Sequence, residues 1–147
     1  MQLCEIKGLL AKKCQTKYVE GATSEEIKKF ENENNVQLPY DYKEWLRMTD
    51  GGDIFLPGGF QFYGVTHKPL IDFDNKNKPN DTYVQIGAFC NGDPLLFRKG
   101  NQEILIYNQE AGRIELDERY ENFKSFLENV LAENENALDV TGEKITI

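Results

Sequence analysis

The sequence predicts an α+β domain in which helices from both ends of the chain cover one face of a mainly antiparallel sheet of five or six strands. Two observations carry that prediction. Apolar residues recur at helical spacing in three segments before Asp50 and in one after Asn122, whereas the stretch between breaks into short apolar runs separated by turn residues. Runs so closely spaced leave no room for the crossover helices that parallel pairing requires. A length of 147 residues suits one domain spanning residues 1–147, with no internal repeat, linker or low-complexity tract to divide it.

The first helix rests on Leu3, Ile6 and Leu10, with lysines on the other side and Gly21 at its exit. Thr23 and Glu26 have the spacing of a capping box, so the segment through Ile27 and Phe30 is a second amphipathic helix. Pro39 holds Leu38 extended and starts a third helix. Tyr42, Trp45, Leu46 and Thr49 form its stripe, and Asp50, Gly51 and Gly52 end it. Trp45, Leu46, Phe30 and Ile27 are expected to form the seam between these two helices, leaving Tyr42 partly exposed.

The runs FQFYGV, TYVQIGAF, PLLFRK, EILIYN and RIELDE are the strands, and NKNKPND is the longest polar connection, with the character of a mobile loop. Phe123, Phe126, Leu127, Val130 and Leu131 then define a final helix whose outward residues include Glu121, Glu128, Glu133 and Glu135. The terminal KITI could supply the sixth strand, at the sheet edge.

The chain holds 17 basic and 25 acidic residues, a net charge of −8. From Asn101 to Ile147 there are 4 basic and 11 acidic residues, so the acidity belongs to the last third. Such a surface repels phosphate backbones and attracts basic proteins, which argues against direct nucleic-acid binding. Cys4, Cys14 and Cys90 make neither a disulfide framework nor a metal motif, and a reducing, cytoplasmic setting is the simplest reading. There is no membrane-length apolar run and no secretory leader pattern.

Catalytic signatures are scarce. His67 is the sole histidine and lies in the turn segment GVTHKP, where exposure is the expectation. Cys90 has no local histidine to activate it and is expected to be a buried or half-buried structural cysteine. Asp72, Asp74 and Asp81 lack the glycine and terminal glutamate of a calcium loop, and Lys76 and Lys78 intervene, so a solvated loop is favoured. No metal or cofactor is expected. A hydrolase would need a site assembled from dispersed groups such as His67, Asp93 and Tyr107.

The run IKKFENENNVQLPYDYKEWLRMTDGG resembles the N-terminal signature of the SUKH (Smi/Knr-type) superfamily, which includes yeast cell-wall synthesis regulators and many bacterial immunity proteins. The matching positions are Ile27, Phe30, Glu31, Leu38, Pro39, Tyr42, Leu46, Asp50 and Gly51. Gly87, Gly92 and Asp93 resemble its mid-chain element, and Phe123, Phe126 and Leu127 its closing helix. The resemblance implies a helix-flanked antiparallel sheet without an enzyme active site. It also implies a protein partner: in many bacterial members a cognate toxin encoded alongside, often a nuclease, and in other relatives a cellular protein bound in a regulatory or scaffold role. Glu115, Asp117, Glu118 and Glu121, where the last long strand feeds the final helix, are the expected partner-binding residues, with Asp93 counted among them and also suited to capping its own turn.

Overall fold

The computed structural model describes residues 2–55, 59–76 and 78–133, without the side chains of residues 55, 116–118 and 133. Its elements run α1 (Leu3–Lys13), β1 (Gln15–Lys17), α2 (Ser24–Asn34), α3 (Tyr40–Met48), β2 (Gly52–Phe55), β3 (Phe60–Phe62), β4 (Tyr83–Phe89), β5 (Pro94–Arg98), β6 (Ile104–Asn108), β7 (Arg113–Tyr120) and α4 (Phe123–Glu133). The 7-stranded sheet follows chain order from β1 to β7, every neighbouring pair antiparallel. The α+β class and the antiparallel pairing agree with the sequence. The strand count does not. β1 consists of Gln15, Thr16 and Lys17 and so has no apolar alternation to read, and β2 begins on Gly52 beside glycines that signal a turn. The expected KITI strand lies outside the described residues.

Local chemistry explains the helix boundaries. Thr23 and Glu26 form the full capping box of α2, each side chain accepting from the other residue's backbone N–H at 2.9 and 3.1 Å. Asn35 closes the helix in the left-handed region at φ 49°, a conformation asparagine tolerates. Pro39 precedes α3, while α1 ends at Lys13 rather than near Gly21 because Cys14 turns extended to enter β1.

The helices and one sheet face share a core. Val84, Ile86, Leu95, Phe97, Ile104 and Ile106 from the sheet join Ile6, Leu10, Trp45, Leu46, Phe123 and Leu127 from the helices. Phe62 is its aromatic centre, with the rings of Trp45 and Phe123 meeting it edge-on at 5.5 and 5.2 Å. On the opposite face Gln85, Leu96 and Leu105 lie side by side in register and are also buried. At the far end of α1, the buried Lys13 ammonium donates to the carbonyl of Leu131 at 3.0 Å, tying α1 to the last turn of α4, where a cation is favoured. No described helix is long and apolar enough to cross a membrane.

Candidate functional site

The sequence signature around α2 and α3 is polar as well as apolar, and its polar groups turn inward. Asp50 is 1% exposed, and its carboxylate holds the loop that follows β3. Oδ1 accepts from the Val65 N–H at 2.8 Å, and Oδ2 from the Thr66 N–H, the Thr66 hydroxyl and the His67 N–H at 2.9, 2.6 and 2.8 Å. Gly64 leads into this loop because a Cβ there would meet the Asp50 carboxylate at 2.7 Å. Trp45 donates its indole N–H to the carbonyl of Gly51 at 2.9 Å. Gly51 itself has φ +101°, and a Cβ on it would lie 2.7 Å from the Phe62 carbonyl.

Tyr42 is fully buried rather than partly exposed, because its hydroxyl reaches two carbonyls, that of Tyr63 just after β3 and that of Ile86 in β4. Burial pushes that phenol well above its ordinary pKa, with the Asp50 carboxylate adding to the effect. Glu31 accepts from the Leu38 N–H at 2.8 Å and pairs with Lys43 at 3.4 Å, bracing the link between α2 and α3. In the expected seam, Trp45, Leu46 and Ile27 are buried, while Phe30 is half-buried and packs on Phe73. Among the described residues no buried side-chain polar atom lacks a hydrogen-bond partner.

Other candidates are dispersed. His67 is exposed, contributing only its backbone N–H to the Asp50 loop. Cys90 is exposed rather than buried, since β4 ends at Phe89 and Cys90 opens the turn. Asp72, Asp74 and Asp81 make no metal site: among the described residues no three His, Cys, Asp or Glu side chains group to hold an ion. The segment around them is folded on itself, with Lys78 donating to the Phe73 carbonyl at 2.7 Å and Asp74 N–H to the Asp72 carboxylate at 2.8 Å.

The five acidic candidates fall in three places. Asp93 joins two turns, accepting from the Gln109 N–H at 3.2 Å while its own N–H donates to the Asn91 side chain at 2.9 Å. Glu115 accepts from the Asn108 side chain near the same end of the sheet. Asp117 and Glu118 lie where the β6–β7 register slips between Leu105 and Tyr107, and their side chains are outside the described residues. Glu121 is exposed beyond the other end of β7, up to about 20 Å from Glu115 along an extended strand.

At that end an open cleft of about 660 Å³ is lined by Asn101, Gln102, Glu103, Arg119, Glu121 and Asn122, among others. Arg119 donates through Nε and a terminal nitrogen to Oε1 of Glu103, the Nε bond being 2.8 Å. Tyr40, 75% exposed, is attached to the cleft wall: its N–H donates to Oε1 of Gln102 at 2.7 Å. Asp41 accepts from the Lys124 N–H at 3.3 Å and binds the start of α3 to the start of α4. Sequence reasoning had Glu121 but not Tyr40 or the amides. Tyr40 was detectable, as an aromatic two residues before Tyr42 and off the apolar stripe; Asn101 and Gln102 read only as turn residues.

The family model of the SMI1 / KNR4 family (SUKH-1) matches residues 21–129, and the chain belongs to that family. This span runs from just before α2 into α4 and includes every signature side chain described above. Domains of this family are generally non-catalytic modules of protein interaction, linked to immunity and regulation. Among curated proteins no sequence matches the chain significantly.

Proposed function

We propose that this chain, as one domain, is a bacterial immunity protein: it binds a cognate toxin encoded beside it and blocks the toxin's basic working surface, without performing chemistry of its own. One observation carries the reading. The polar side chains of the family signature, Asp50, Tyr42 and Glu31, and the neighbouring Trp45 are engaged in holding the fold, so what the domain offers a partner is surface. The last third of the sequence is acidic, with 4 basic and 11 acidic residues from Asn101 to Ile147.

The electrostatics suit a nuclease toxin. A protein that grips phosphate needs a positive face, and an acidic inhibitor both complements that face and associates with it quickly. Such a partner is met in the cytoplasm, before it reaches nucleic acid.

The test is co-expression of this chain with the polypeptide encoded by the adjacent gene, followed by purification of the pair. The expected result is rescue of growth and a stable complex whose association slows as salt rises. Growth arrest despite full expression of the folded chain, with no complex between the purified proteins, would refute the immunity reading.

A further inference from the structure

We infer that the cleft between the β5–β6 turn and the β7–α4 junction receives the C-terminal end of a helix of the partner protein, whose last carbonyl oxygens it binds. This placement rests on the toxin-binding reading and gives that reading a location. Three amides line the cleft, and each has its oxygen committed to the chain's own backbone. Asn101 accepts from the Glu103 N–H at 2.6 Å, Gln102 from the Tyr40 N–H at 2.7 Å and Asn122 from the Ser125 N–H at 2.8 Å. A backbone N–H can be answered only by the oxygen, so the orientation of each amide is settled. The three NH₂ groups, and the second terminal nitrogen of Arg119, make no hydrogen bond among the described residues.

Charge does not select the occupant. Arg119 is paired with Glu103. Glu121 is exposed on the cleft, while Lys99 in the β5–β6 turn and Lys124 in the first turn of α4 flank it, and none of these three takes part in a salt bridge among the described residues. With Asp41, which accepts from the Lys124 N–H at 3.3 Å, three acidic groups stand against three basic ones, so the corner is balanced and demands no ion of either sign. What it lacks is acceptors for its donors.

A helix C-terminus matches that want. Its last four carbonyls have no intrahelical partner and point the same way along the axis, so several acceptors arrive together, bearing only a partial negative charge. An extended segment turns successive carbonyls to opposite sides and would leave part of the donor set unmet. The donors are also held in place before binding. Gln102 holds the first N–H of α3, Asn122 caps α4, and Asn101 closes its own turn on Glu103. Donors ordered in advance lose little freedom when a partner arrives. Tyr40 enters through its backbone N–H alone, its ring lying outside the cleft lining.

The probe is the toxin domain encoded by the adjacent gene, catalytically inactivated, titrated against the parent chain and against Asn101→Asp, Gln102→Glu and Asn122→Asp, singly and together. Each substitution keeps the oxygen that its backbone N–H needs and turns the donor into a second oxygen, so each variant should melt like the parent. Each should speed dissociation by about three- to tenfold, although the added negative charge should favour association with a basic toxin. Equal or tighter binding by the triple variant would overturn the placement and leave the immunity reading standing. If the folded parent does not bind, the immunity reading fails and takes the placement with it. A second measurement needs only the parent chain: in a ¹³C-labelled toxin domain, the backbone carbonyl signals that move most on binding should be consecutive ones at a helix end. Movement of side-chain carboxylate signals in their place would overturn the helix end as the occupant.

Discussion

The α2–α3 signature and the corner at the end of β7 are both rich in polar side chains, yet they use them in opposite ways. Around Asp50 the polar groups face inward: four hydrogen bonds to its carboxylate fix one loop, and the indole of Trp45 and the phenol of Tyr42 answer turn and sheet carbonyls. At the corner, Asn101, Gln102 and Asn122 meet the backbone with their oxygens and keep their NH₂ groups outward. The difference separates recognisability from recognition. The residues that make the family legible are those that hold its fold, whereas a surface suited to one partner carries no such duty.

Breaking the first region should unfold the protein. Trp45→Ala removes a fully buried indole that touches Phe62, Phe123 and Tyr18, and should cost about 3–5 kcal/mol in urea unfolding. A loss below about 1 kcal/mol would place the indole outside the cooperative core. Asp50→Ala leaves three backbone N–H groups without their acceptor and should cost roughly 3 kcal/mol. Its companion Asp50→Asn keeps an oxygen for some of them and should fall between parent and alanine.

Titration gives a smaller effect on the same region. Burial pushes the Tyr18 phenol up to about 12, and that of Tyr42 well above its ordinary value. Each folded-state pKa lies above the unfolded one, so the folded chain retains its protons longer. The contribution to stability is complete below about pH 10 and is lost as pH rises toward 12. Unfolding midpoints should thus hold steady to about pH 10 and fall above it, and Tyr42→Phe should make the fall shallower. At the corner the effect on stability is smallest: Tyr40→Ala should shift the unfolding free energy by less than about 0.5 kcal/mol.

How far the sequence could be read follows the same division. Capping box, proline start, apolar stripes and five of the strands were visible because each has a local period or a turn residue. Tyr42 was misjudged because its hydroxyl finds acceptors on β4 and the residue after β3, both far along the chain. β1 was missed since three polar residues on a sheet edge have no alternation. The sequence places Glu115, Asp117, Glu118 and Glu121 where the last long strand feeds the final helix, but the length of β7 sets Glu115 near one end of the sheet and Glu121 near the other. Nothing in the order of residues 101–122 announces that turn amides from one end of that stretch and a helix cap from the other will line one cleft.

Amide hydrogen exchange of the chain, alone and bound to the inactivated neighbouring toxin domain, tests this separation most directly. Added protection is expected at residues 101–103, at 119–124 and around Tyr40, with exchange in the Asp50-held loop, residues 64–70, unchanged. New protection confined to residues 64–70, with the corner exchanging as in the free chain, would contradict it and make the signature region itself the binding surface.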